Sequence, residues 1–131
     1  SIVFPMVLGG STWIGDSSNL AATTDVHNTA QAIAHSAGGA LTIDSDLGHN
    51  AQVTLTADAT SHVINNFLDT NVFSLLYQAS GGTRNVDFTG LTAATGFTNP
   101  GNVAIADGDI YRATLMQAFG TIYLLDAEAL T

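Results

Sequence analysis

The residues able to do chemistry in this chain are few and scattered. Asp44 and Asp46 stand two apart in an alternating segment, which places both carboxylates on one face of a strand. Glycoside hydrolysis needs two carboxyl groups about 5–10 Å apart. The plainer reading is the solvated face of a half-buried strand, and it is the one adopted. Asp107-Gly108-Asp109 offers the hard oxygens that calcium takes, but Asp-Gly is first a turn signal, because glycine supplies a positive φ at no steric cost. His27, His35, His49 and His62 lack the close spacing of a zinc site, and there is no cysteine to supply thiolates or disulfides. The serines and histidines show no nucleophile-elbow pattern. Gly9-Gly10 and Gly81-Gly82 lack the lysine and spacing of a phosphate loop. No catalytic, cofactor-binding or metal-ligating residue is assigned, and the chain is read as non-enzymatic.

Composition narrows the remaining classes. Only 10% of the 131 residues are charged and 46% are hydrophobic, against about 25% charged in an average protein. Lysine is absent, and Arg84 and Arg112 are the only fixed cations, leaving a formal net charge of -9. Nucleic-acid binding needs cations to neutralise phosphates, so no nucleic-acid partner is expected. An acidic chain is also a poor match to anionic headgroups, and no apolar run approaches the roughly 20 residues that span a bilayer, so no membrane partner is expected. So few charges leave apolar patches too large for a solitary soluble domain. The expectation is a homo-oligomer, most simply a trimer, held by packing rather than by ion pairs.

The elements that must carry these residues fall into two zones. Residues 1–39 read as an arm or attachment region. Ile2, Val3, Phe4, Met6, Val7 and Leu8 form an apolar run without the basic flank of a signal peptide. Pro5 has no N–H to donate and suits an edge or free arm, and Gly9-Gly10 lets the chain change direction. These six residues and Trp13, a side chain favoured at interface hot spots, are the candidate interface. Ser1 is a small residue of the kind left by initiator-methionine removal, which makes a short reading frame the expectation. Residues 24–36 are the one helix candidate, with Thr24 or Asp25 as cap, Val26, Ala30, Ile33 and Ala34 as a rough stripe, and Gly38-Gly39 as a stop. A strand or irregular segment competes closely with it.

Residues 40–131 read as a β domain. Leu41 and Ile43 alternate with Thr42 and Asp44, and Val53 and Leu55 with Thr54 and Thr56; Val72 to Tyr77 is a denser run suited to a central strand. Ser80-Gly81-Gly82 and Asp107-Gly108 are turns, and residues 90–101 form a Gly/Thr/Asn/Pro loop. Phe73, Tyr77, Phe88, Tyr111, Phe119 and Tyr123 sit at strand spacing and are read as core. Short alternating segments with a turn signal every 8–12 residues or so predict an all-β domain: an antiparallel β-sandwich or jelly-roll-like fold with an extended N-terminal arm.

The order of these pieces resembles a β domain of tailed-bacteriophage structural proteins. The resemblance runs through Leu41-Thr42-Ile43-Asp44-Ser45-Asp46-Leu47-Gly48, Val53-Thr54-Leu55-Thr56, Phe73 to Arg84 with its Gly81-Gly82 turn, and Ala106-Asp107-Gly108-Asp109-Ile110-Tyr111 before a final aromatic strand. Phe97 stands where such domains often carry a tryptophan. The resemblance spans about two-thirds of the chain, by the same pattern matching as the strand assignments, and leaves out residues 1–39. It implies a virion location, no cofactor, and a partner such as the major capsid protein. The function implied is capsid decoration, with a tail or head-fibre module that binds the host surface as the alternative. A carbohydrate-binding domain using Asp44, Asp46 and exposed aromatics is the reading from outside that family. Deleting residues 1–10 is expected to weaken assembly or attachment while the 40–125 region stays folded. Circular dichroism and thermal melting beside an oligomerisation assay check this; outright unfolding would make the segment a core strand.

Overall fold

In the computed structural model, which describes residues 30–131, the period-two pattern becomes ten strands. They are β1 (Gln31–His35), β2 (Gly39–Asp44), β3 (Asn50–Leu55), β4 (Ala59–Asn65), β5 (Val72–Ala79), β6 (Arg84–Asp87), β7 (Thr92–Ala93), β8 (Asn102–Ile105), β9 (Ile110–Ala118) and β10 (Thr121–Ala129). They form a six-stranded sheet, ordered β1-β3-β5-β9-β10-β7, and a four-stranded sheet, ordered β2-β4-β6-β8. The all-β class holds.

The antiparallel expectation does not, because both sheets are mixed. β1, β3 and β5 are mutually parallel neighbours, and so are β2, β4 and β6. From β1 to β9 the chain crosses to the opposite sheet at every turn, and β3, β4, β5 and β6 each return beside the strand two earlier, winding as a two-sheet coil; β9 and β10 are joined by a hairpin within the large sheet. Gln31 lies beside Ala51, and Ala51 beside Leu75. Parallel neighbours need a long crossover, and here the strand of the opposite sheet is that crossover. Alternation reports which face is buried and is silent on partner direction, so the sequence could not separate a coil from hairpins. Antiparallel pairing enters only after β5, where β9 pairs with β5 and β10, and β8 with β6.

Two further expectations are corrected. The part of the 24–36 helix candidate that lies among the described residues is β1, whose burial alternates with Gln31, Ile33 and His35 inward. Pairing of all five of its residues with Ala51 to Leu55 of β3 outweighs the helix propensity of its alanines. Because β1 is an edge strand of the large sheet, the β domain includes residues assigned above to the 1–39 region. Asp107-Gly108 is a turn as expected, with Gly108 at φ +83° and Asp109 N–H donating to the Ala106 carbonyl at 2.9 Å. It joins β8 to β9 across the two sheets, so it is not a hairpin.

The core lies between the sheets. Leu41, Ile43, Val53, Leu55, Phe73, Leu75, Tyr77, Val86, Phe88, Leu115 and Leu124 are all essentially inaccessible. Tyr77 and Phe88 meet edge to face across the gap, with centroids 5.8 Å apart, and Tyr111 tilts against Phe88 at 5.9 Å. The 90–101 loop is pinned through Asn99, whose Nδ2 donates to the Phe88 and Leu91 carbonyls, both at 2.9 Å. Leu75 sits at the middle of this arrangement, on the strand flanked by β3 and β9. Leu75→Ala is expected to destabilise the fold by about 2–5 kcal/mol, measured by urea denaturation; a loss under about 1 kcal/mol would mean that the intersheet layer is not the dominant core.

Candidate functional site

The sequence-singled carboxylates do not form a reactive pair. Asp44 ends β2 and caps a single 3-10 turn, Ser45–Leu47. Its Oδ1 accepts from Asn66 Nδ2 at 2.9 Å and from the Asp46 N–H at 3.0 Å. The Asn66 hydrogen bond, then the Asp46 backbone, hold its carboxyl below the ordinary carboxylate range. Asp46 lies inside the turn, so the two are not face-mates on one strand, and a lowered pKa is the reverse of what a general acid needs. Among the described residues, no three His, Asp or Glu side chains gather where they could hold a metal ion. Ile2, Val3, Phe4, Met6, Val7, Leu8, Trp13 and His27 lie outside the described residues.

The aromatics divide. Phe73, Tyr77, Phe88 and Tyr111 are buried and Tyr123 is half-buried, whereas Phe119, expected in the core, is 99% exposed. A sugar-binding groove needs exposed rings side by side, and four of the six rings are occupied with intersheet packing.

The large sheet's outer face has a character not anticipated from the sequence. Ala32 and Ala34 on β1, Gln52 and Thr54 on β3, Ser74, Leu76 and Gln78 on β5, and Ile110, Thr114 and Met116 on β9 point away from the core. Register puts Ala32, Gln52, Leu76 and Arg112 in one row. Arg112 is tied down by Asp126 at 3.1 Å and Glu128 at 3.5 Å. West of that ion pair, from β9 across to β1, the face carries no charge, and shallow grooves run between its short side chains. The signal was present in the sequence: on β1, β3 and β5 the residues alternating with the core are small or neutral, where a solvated face normally carries charge.

A second feature missed is a polar contact inside the core. His62 Nε2 lies 2.8 Å from the Tyr77 hydroxyl, and its ring stacks on Phe88 with centroids 5.2 Å apart. Its place in an alternation with Ile64 was the available clue. Comparisons with protein-family models, with curated proteins and with solved structures found no match to this chain.

Burial lowers the His62 pKa to about 4, against the opposing pull of the Asp87 backbone and charge; His35 adds a small push downward. The unfolded chain takes up this proton near 6.5, and the folded chain only near 4. Stability from this group is therefore complete above pH 6.5 and is lost as pH falls toward 4, by about 3 kcal/mol in all. Urea titrations at pH 7 and pH 4.5 should show this loss. The double variant His62→Phe, Tyr77→Phe, which leaves no orphaned hydroxyl, should remove most of it. An unchanged pH slope in the double variant would assign the loss to other groups.

Proposed function

We propose that this chain is a non-enzymatic structural subunit of a bacteriophage virion, acting as a homotrimer, and that it decorates the capsid by binding the major capsid protein. The observation that carries the self-association is the uncharged part of the six-stranded sheet's outer face, from β1 across to β9 beyond the Arg112 ion pairs. Its short neutral side chains, from Ala32 and Ala34 across Thr54 and Leu76 to Ile110, Thr114 and Met116, suit close packing against another protein surface. A net charge of -9 makes copies repel at long range, so the contact between them must be apolar and uncharged, as this face is. The virion assignment rests on the resemblance of the Leu41–Leu125 pattern to phage structural domains.

Multi-angle light scattering at micromolar concentration is expected to give a mass near three times the 13.5 kDa chain. Leu76→Glu combined with Thr54→Arg should return it to the monomer with an unchanged circular dichroism spectrum, since neither side chain faces the core. A stable monomer of the unaltered chain would overturn the oligomer. Co-sedimentation then separates the two virion roles: binding to empty capsids supports decoration, and binding to host cells without capsid binding supports a tail or head-fibre module.

A further inference from the structure

Four of the six large apolar side chains that are exposed among the described residues lie at one end of the coil: Leu47 (64%), Leu68 (65%), Val72 (44%) and Phe119 (99%). The topology brings them together. Leu47 lies in the turn leading into β3, Leu68 and Val72 lie at the entry to β5, and Phe119 lies between β9 and β10. β3, β5 and β9 are consecutive neighbours, so at about 4.8 Å per strand these entry points span only about 10 Å.

Backbone strain marks the same end. The described residues other than glycine with positive φ are Asn66 (60°), Thr70 (72°) and Phe119 (48°), and all three are here. Leu68 to Asn71 is a turn closed by Asn71 N–H donating to the Leu68 carbonyl at 3.1 Å. Thr70 takes its third position, where a positive φ calls for glycine. Phe119-Gly120 is a two-residue hairpin loop between the paired Ala118 and Thr121, with φ positive at both residues, the geometry that favours Asn-Gly. A β-branched or bulky side chain in this region is a genuine outlier. The two turns are locked together: Asp69 Oδ1 accepts from Gly120 N–H at 2.9 Å and from Gln117 Nε2 at 3.1 Å, and Thr70 N–H donates to the Gln117 carbonyl at 2.7 Å. A rigid pair of turns thus holds Leu68 and Phe119 out in water.

We propose that this end, with Phe119 as its anchor, is a docking surface for a different protein that presents an apolar pocket bordered by Lys or Arg. Charge selects the occupant. Asp44, Asp46 and Asp69 border the patch, so a partner must bring cations. Two copies meeting through this end have no free cation between them: lysine is absent, Arg112 is held by Asp126 and Glu128, and Arg84 lies at the opposite end with its Nε on the Ser80 carbonyl at 3.1 Å. Anionic lipid is excluded by the same carboxylates. Val72, the register partner of Met116, lies where this end meets the sheet face assigned to self-association; Leu68 and Phe119 lie in the turns beyond that face, and the proposal does not depend on the virion reading.

The test uses the full chain and two synthetic amphipathic peptides of equal apolar content, one Lys/Leu and one Glu/Leu, titrated by fluorescence anisotropy. The Lys/Leu peptide is expected to bind, more weakly as salt rises, and the Glu/Leu peptide is not. Phe119→Asn restores the favoured Asn-Gly hairpin, so it should raise the melting temperature while weakening peptide binding at least tenfold; Leu68→Ser should weaken binding similarly without unfolding. Equal affinity for the two peptides would overturn the proposal, as would full affinity in Phe119→Asn. A lowered melting temperature in Phe119→Asn would make Phe119 a structural residue and overturn it too. Self-association that Phe119→Asn abolishes would name a second copy as the occupant, against the charge argument.

Discussion

The structure depends on the parallel pairing of β3 between β1 and β5. This register stacks positions in rows across the large sheet: Ala51, Leu75, Ala113 and Ala127 in one, and Ile33, Val53, Tyr77 and Tyr111 in the next but one. Both rows face inward, one of mainly small side chains and one of large ones, and the four-stranded sheet supplies Phe88 and His62 opposite Tyr77. A slip of one residue in any strand would turn its whole inward set to solvent. The start of the coil is fixed by Gln31, whose Nε2 donates to the Asp44 carbonyl at 2.6 Å and the Gly48 carbonyl at 3.0 Å. That ties the first strand to the turn that launches the third.

Much of the core was legible in the sequence because inward and outward residues alternate, and Leu41, Ile43, Val53, Leu55, Phe73, Tyr77 and Phe88 declare themselves by that alternation. Sheet membership was not legible. The link Ser36-Ala37-Gly38, read in sequence as the end of a helix candidate, could as well have closed a hairpin, and it carries the chain from one sheet to the other. Only the contacts of strands about 20 residues apart decide between the two, and those are encoded in packing rather than in local pattern. β1 was obscured for a related reason: its alanines favour a helix in isolation, and its partner β3 lies beyond any local window. Phe119 was misplaced because strand spacing continues through the hairpin, and nothing in the spacing reveals that the chain reverses there.

Scarcity of charge has different consequences at different surfaces. On the large sheet it leaves a neutral expanse whose only cation is internally neutralised. At the coil's strained end, three of the chain's carboxylates stand around exposed apolar residues, and both arginines are elsewhere. Two copies meeting face to face would therefore bring no like charges together at the first surface and only carboxylates at the second. A chain with interspersed Lys and Glu would not separate the two, because every surface would offer both signs. With two cations in total, the position of each decides which faces can meet.

The two ends of the coil show that the strain is not a by-product of the winding. At both ends the chain turns from one sheet to the other, and at Phe119-Gly120 it also reverses within the large sheet. At one end the positive-φ positions are Gly39, Gly81, Gly82 and Gly108, residues that adopt this geometry without steric cost. At the other, beside Gly48 and Gly120, Asn66, Thr70 and Phe119 hold such positions; asparagine tolerates them, whereas Thr70 and Phe119 do so at a cost of order 1–3 kcal/mol each. Glycine at Thr70 or asparagine at Phe119 would relieve that cost without touching the core, since neither side chain is buried. Local sequence normally agrees with the backbone it must adopt, and disagreements concentrate where a surface is used. The disagreement here coincides with the exposed apolar residues and with the Asp69 hydrogen bonds that stiffen them. Conformational strain, apolar exposure and local bracing thus converge on one set of turns, which is the combination expected where a side chain is held ready for a partner rather than folded away.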